Sequence, residues 1–214
     1  RITRQILEVL TAFGHPVDIV TKSTLVLRDL DILAPMAERG LAQVSVSVTT
    51  LDRNLARRLE PRAATPSRRI ETIRALAAAG VPTGVMASPM IPGLNDHELE
   101  AILSQASAAG AEFASYILIR LPLEIADLFA EWLETHVPNK AKRVMSLIRE
   151  TRGGKTYQSR FGQRMRGTGT YAELLTQRFQ LSVNRLGFNE RRLELKSSRF
   201  TLPPTNGDQI ELFS

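Results

Sequence analysis

The 214-residue sequence contains no cysteine. That excludes disulfides, thiolate zinc sites, cysteine nucleophiles and iron–sulfur ligation by its own residues. Histidine is nearly as scarce: His15, His97 and His136 stand alone, at a turn, a helix start and a helix end. They read as structural, and no metal site is expected. No apolar run approaches the roughly 18 residues that cross a bilayer, so no membrane contact is expected. The opening RITRQILEVL lacks the apolar block and small-residue cleavage site of a signal peptide, which points to a cytoplasmic protein. It begins with Arg rather than Met, so a piece of a longer chain is expected. Gly153-Gly154-Lys155-Thr156 resembles the end of a phosphate-binding P-loop, but the upstream Gly spacing and a preceding strand are missing.

What is present is an ordinary globular composition, 43% hydrophobic and 23% charged, long enough to bury a sizeable core. The net charge of +6 is uneven. Residues 1–150 carry 17 Lys/Arg against 17 Asp/Glu, and residues 151–214 carry 11 against 5. The densest stretch is 140–166, where Lys142, Arg143, Arg149, Arg152, Lys155 and Arg160 stand among glycines, with Tyr157 and Phe161 interleaved. Flexible backbone, many cations and aromatic rings fit a phosphate backbone, so these six residues are candidate nucleic-acid contacts. The plain alternative is a solvated basic surface.

Hydrophobic periodicity predicts a helix over 2–13, a strand over 17–21, a helix over 28–39 and a strand over 41–49. Short and longer helices follow at 52–58 and 67–79, then a strand at 82–91. Asn95 reads as the N-cap of a helix over 96–109. A strand at 113–121 and a helix opened by Pro122 complete the series. In the 41–49 strand, Val44, Val46 and Val48 alternate with Gln43, Ser45, Ser47 and Thr49. Strand–helix alternation implies a parallel sheet, open or curled into a barrel. Four strands do not close a barrel. Residues 1–138 therefore read as a partial α/β barrel. Residues 139–214 read as a basic, mostly helical extension, with helices near 140–150 and 170–186 and short segments at Arg192–Leu195 and Gln209–Phe213.

Ligands of parallel α/β folds sit at the C-terminal ends of the strands. That rim selects Lys22, Ser47, Thr49, Ser88, Ile91 and Arg120. Lys22 is a cation able to hold a carboxylate or form a Schiff base, or an exposed loop lysine. Ser47 and Thr49 suit a ribose or a carboxylate, or are hydroxyls satisfied by nearby backbone. The Ser88-to-Gly93 segment reads as an apolar shelf for an adenine ring, or a tight strand exit. Arg120 reads as an anion contact, or a surface salt bridge. Trp132 is core with Phe129 and Leu133.

The ordered run from Val20-Thr21-Lys22-Ser23, through the Ser-Val-Ser strand, Leu59-Glu60-Pro61, Pro66 and Arg69-Ile70-Glu71, to Ser88-Pro89-Met90-Ile91-Pro92-Gly93-Leu94-Asn95-Asp96 resembles the central part of a radical SAM enzyme. It is similar to an uncharacterised bacterial group related to spore photoproduct lyase, a DNA-repair enzyme. The later RETRGGKTYQSRFGQRMRGTGTYAELLTQRF resembles that group's C-terminal region. The resemblance implies a partial six-stranded (β/α) barrel with about four strands here, S-adenosylmethionine (SAM) and a [4Fe–4S] cluster as cofactors, and a reductant such as flavodoxin or ferredoxin. It implies that Lys22 and Ser47, with Thr49 as companion, hold the methionyl or ribose part of SAM, and that Ile91 flanks the adenine. The family's Cys-x3-Cys-x2-Cys cluster loop is absent here, so the two earliest strands and the cluster ligands are expected upstream. The implied activity is reductive cleavage of SAM to a 5′-deoxyadenosyl radical, with a DNA-repair-type lyase as the finer reading. No hydrogen-atom donor or other catalytic residue is assigned, and the substrate is not specified. The alternatives are a barrel aldolase or lyase using Lys22 as a Schiff base, and a non-catalytic nucleic-acid-binding module built on 140–166.

Overall fold

A computed structural model describes residues 2–190 and 194–202. Of the two expected tail segments, Gln209–Phe213 lies outside these residues, as do Arg192 and Leu193 of the other. The first strand–helix units follow the sequence closely. Helix α1 (Ile2–Ala12) precedes strand β1 (Val17–Thr21), a 3-10 turn and helix α2 (Leu30–Glu38). Strand β2 (Ala42–Val48) leads to α3 (Arg53–Leu59) and α4 (Pro66–Ala78). Asp52 caps α3 by accepting from the Asn54 and Leu55 amides at 2.7 and 3.3 Å. Pro66 opens α4, where its fixed φ suits the first helical turn. Strand β3 (Thr83–Met90), helix α5 (Leu99–Ala108) and strand β4 (Phe113–Leu118) follow. Helices α6 (Ile125–His136), α7 (Pro138–Glu150) and α8 (Thr170–Leu186) complete the series.

The four strands form one all-parallel sheet in the order β1-β2-β3-β4. Right-handed crossovers between sequential parallel neighbours put every connecting helix on the same face. The apolar side of the sheet, with Val44, Val46, Val48, Val85 and Tyr116, is packed by α2, α4, α5 and α8 into the main core. The opposite face carries the alternate residues Asp18, Gln43, Ser45, Ser47, Gly84, Met86, Phe113 and Ser115. A sheet with helices on one side and a polar inner face is the wall of a barrel, so the molecule is an α/β partial barrel.

Two local devices shape that wall. Gly110, at φ +95°, turns the chain between α5 and β4, and a Cβ there would meet Ala77 at 2.8 Å. Gly84 lets the Phe113 ring lie across the inner face, where a Cβ would stand only 2.1 Å from it.

A second core joins the ends of β3 and β4 to α6 and α7. It contains Ile91, Leu94, Ile119, Leu121, Phe129, Leu133, Val144 and Ile148, with Trp132 packed at its edge. This cluster corrects three expectations. The fourth strand stops at Leu118, because Ile119 and Leu121 leave the sheet to enter the second core. Pro122 does not open α6, which starts at Ile125 after Leu123 adopts φ +48°. Asn95 holds the N-cap position of a 3-10 turn (Asp96–Glu98) ahead of α5, but its side chain makes no capping hydrogen bond. Its buried amide instead ties two strand ends together, as set out below.

Candidate functional site at the strand ends

The C-terminal rim of β1, β2 and β3 is built around one carboxylate. Glu60, in the turn after α3, forms ion pairs with Lys22, which follows β1, and with Arg69 in the first turns of α4 at 2.5 Å. Arg69 is 3% exposed at its side chain and Glu60 13%. Arg69 spends its other donors on the backbone carbonyls of Ser47 at 3.1 Å and Ala64 at 2.8 Å. Burial alone would raise the Glu60 carboxyl, but the hydrogen bonds and charges of Lys22 and Arg69 overcome it and hold the group below its ordinary value. The sequence marked Glu60 and Arg69 as pieces of a resemblance and assigned neither to the site. Their only local signal was an acid at a helix-to-helix turn and a cation nine residues later.

Thr49 is the hub of this network. Its hydroxyl lies 2.9 Å from Glu60 Oε1, 2.9 Å from the Ser88 carbonyl, and 3.4 Å from both Lys22 Nζ and Arg69 Nη1. One proton cannot serve both acceptors, so Thr49 is saturated by the protein itself. Ser47 differs. It donates to the Ser88 carbonyl at 2.9 Å, and the hydroxyl oxygen keeps lone pairs for a ligand donor. Lys22 donates to Glu60 and Thr49, which leaves its third N–H for a ligand acceptor.

Asn95 braces the same rim from below. Its Nδ2 donates to the carbonyls of Thr49 at 2.6 Å and Pro89 at 3.0 Å, and its Oδ1 accepts from the Ile91 amide at 2.7 Å. Glu98 accepts from the Thr50 hydroxyl at 2.7 Å and the Leu51 amide at 2.5 Å. Together they fix the β2 and β3 exits against each other.

The predicted residues therefore fall into distinct groups. Lys22, Ser47, Thr49 and Ser88 share one rim, where Ser88 contributes its carbonyl. Ile91 is fully buried in the second core, so its side chain does not offer a shelf for an adenine ring. Arg120 stands two residues beyond β4, donates to the Tyr157 hydroxyl at 3.1 Å and makes no ion pair among the described residues. On the basic stretch, Lys142, Arg143, Arg149, Lys155 and Arg160 are exposed, as is Phe161. Arg152 is the correction. It is 2% exposed, and its two Nη atoms donate to the carbonyls of Gln163, Arg164, Leu118 and Ile119. It pins the loop to β4 and is not available to a polyanion.

The rim donors and acceptors fit a zwitterionic, sugar-bearing ligand such as SAM: Lys22 for a carboxylate and Ser47 for a hydroxyl or ammonium. They do not fit an iron–sulfur cluster. The sequence has no cysteine, and among the described residues no three His, Asp or Glu side chains gather around a metal-sized site.

Residues 1–106 match the family model described as the Radical SAM superfamily. An uncharacterized protein of Mycobacterium tuberculosis is 35% identical over 146 residues, covering 67% of this chain and 43% of that protein. An uncharacterized protein of Acidianus two-tailed virus is 33% identical over 115 residues, covering 51% of this chain and 38% of its own. The chain thus spans less than half the length of these relatives. A solved structure of a spore photoproduct lyase mutant shares the fold, with a TM-score of 0.58 at 17% identity over 86% of this chain and 54% of that one. On the family match and the partial-barrel fold, the chain belongs to the radical SAM superfamily.

Proposed function

We propose that this chain supplies the SAM-binding wall of a radical SAM enzyme. The observation that carries the reading is the rim network in which Glu60 and Arg69 hold Lys22 beside the polar strip of β2. SAM, when bound and given one electron, supplies a 5′-deoxyadenosyl group able to abstract hydrogen. The chain's own residues bind and orient. Lys22 directs its third N–H at the methionyl carboxylate, Ser47 receives a ribose hydroxyl or the ammonium, and the Phe113 ring closes the inner face beneath them. Cluster thiolates would come from residues other than these, and the electron from a flavodoxin- or ferredoxin-type donor.

The finer reading, a lyase that acts on nucleic acid, is supported by the fold shared with a spore photoproduct lyase and by the exposed Lys142, Arg143, Arg149, Lys155 and Arg160. The Schiff-base reading is disfavoured by the ion pair of Lys22 with Glu60, because imine formation needs an uncharged, unpaired amine.

The test uses a protein that carries this chain together with cluster-binding cysteines. It is reconstituted anaerobically with iron and sulfide, given SAM and dithionite, and assayed for 5′-deoxyadenosine. Production is expected, with a sharp loss for Lys22→Ala and none from these 214 residues alone. A cluster-loaded protein that makes no 5′-deoxyadenosine overturns the reading.

A further inference from the structure

We propose that Arg120 and Tyr157, set beside the buried charge of Arg152 at the end of β4, form an oxyanion subsite that takes the phosphate of a phosphomonoester. The assignment of that phosphate to the substrate rests on the radical SAM reading above and not on its nucleic-acid refinement, since an internal nucleic-acid phosphate is a diester; the existence of the subsite rests on neither.

Three observations converge on it. First, the charge is uncompensated. Arg152 is almost fully buried, Arg120 half-buried, and among the described residues neither is ion-paired with a carboxylate. Buried charge is costly unless it is paired, and two like charges side by side raise the cost further. Burial, then the like charge of Arg120, pushes the Arg152 guanidinium below its ordinary value.

Second, donors are left over. The Nε atoms of Arg120 and Arg152 are both buried and have no hydrogen-bond partner among the described residues. Arg152 uses its Nη atoms on four carbonyls and so keeps its place whatever binds. Among the described residues Arg120 has one hydrogen-bond partner, the Tyr157 hydroxyl, over whose ring its guanidinium also lies at 5.7 Å. That hydroxyl accepts from Arg120, so its own proton is free to donate outward.

Third, the position is that of a ligand site. The Ile119 amide donates to the Met90 carbonyl at 2.9 Å, so Arg120 emerges directly beside the exit of β3 that carries Ser88. Ligands of parallel α/β sheets bind along this rim. The arginine fork matches a tetrahedral oxyanion with two parallel N–H bonds. Two positive charges with no acid paired to them among the described residues are balanced by a dianion, which a phosphomonoester is near neutral pH and a carboxylate or phosphodiester is not.

The test needs neither SAM nor a cluster, so its failure is distinct from failure of the radical SAM reading. The 15N-labelled chain is titrated at constant ionic strength with inorganic phosphate and ribose 5-phosphate, and in parallel with acetate and a dinucleoside monophosphate. The arginine Nε–Hε signals of residues 120 and 152 are followed. They are expected to shift saturably with the monoesters, and roughly tenfold more weakly with acetate or the diester. Monoester binding is expected to strengthen from about pH 5.5 to 7.5 as the second phosphate proton leaves. Arg120→Met abolishes the shift at Arg152 while the backbone amide spectrum stays native. Should that variant not fold, Tyr157→Phe is expected to weaken binding severalfold with the fold intact. Shifts that never saturate, equal binding of acetate or the diester, or unchanged binding in these variants overturns the proposal.

Discussion

Replacing Glu60 by Gln tests whether the rim network is held by charge. The substitution keeps the shape and one acceptor oxygen and removes the negative charge shared by Lys22 and Arg69. Arg69 is left nearly buried with the carbonyls of Ser47 and Ala64 and the Thr49 hydroxyl as its partners and no carboxylate. Removing one partner of a fully buried ion pair costs about 3–5 kcal/mol. The Lys22 half, 36% exposed, is closer to a surface pair and adds under about 1 kcal/mol. Because Gln still accepts a hydrogen bond and Glu60 retains some solvent contact, E60Q is expected to cost about 2 kcal/mol. For a chain of this length that is a fall in Tm of roughly 4–8 °C. Glu60 titrates below its ordinary value of 4.5 in the folded protein. Its contribution is therefore complete above that value and is lost as the pH falls through the folded pKa. The difference in Tm between wild type and E60Q is expected to stay constant from about pH 5.5 to 7 and to close below about pH 4.5. Thermal melts followed by circular dichroism measure both curves, and taking the difference cancels the other carboxylates. A Tm loss under about 2 °C at neutral pH, or a gap that does not narrow as the pH falls below about 4.5, would refute a charge-held rim.

Four other outcomes follow from the same structure. Gly84→Ala forces a Cβ against the Phe113 ring and is expected to cost about 1–3 kcal/mol by denaturant melting; Phe113→Ala in the same chain should recover most of that increment. Asn95→Ala orphans the Ile91 amide and the Thr49 and Pro89 carbonyls, at an expected cost of about 3 kcal/mol, whereas an N-cap role would cost about 1. Charge removal at Lys142, Arg143, Arg149, Lys155 and Arg160 is expected to weaken retention on a polyanion column and flatten its salt dependence at unchanged Tm. Arg152→Ala should instead lower Tm, because it unpins the loop from β4.

Much of the architecture follows from local pattern. The alternation of Val44, Val46 and Val48 with Gln43, Ser45 and Ser47 defines a strand with one dry face and one polar face before any partner is known. Glycines at 40, 80 and 110 end the helices between the strands. Strand–helix order then leaves a parallel sheet as the only economical arrangement. The rim itself was legible too, because side chains at strand ends must lie where ligands of such sheets bind.

What each rim residue does was decided only by folding. Lys22 and Glu60 are 38 residues apart, and no periodicity encodes that meeting; crossover geometry brings the end of β1 over the turn after α3. The same closure saturates Thr49, which the sequence presents as equal to Ser47. Asn95 has the residue type and position of a helix cap, yet the approach of the β2 and β3 exits gives its amide three stronger partners. Ile91 reads as a rim residue until α6 and α7 fold over it. Arg152 sits in the most basic stretch of the sequence, where charge counting treats every cation alike. Only the tertiary structure supplies the four carbonyls that draw it inside and leave Arg120 beside it without an ion-paired acid among the described residues. Local pattern determines elements and faces, because it depends on neighbours a few residues away. Pairing and burial depend on which distant segments meet, and the folded chain alone decides that.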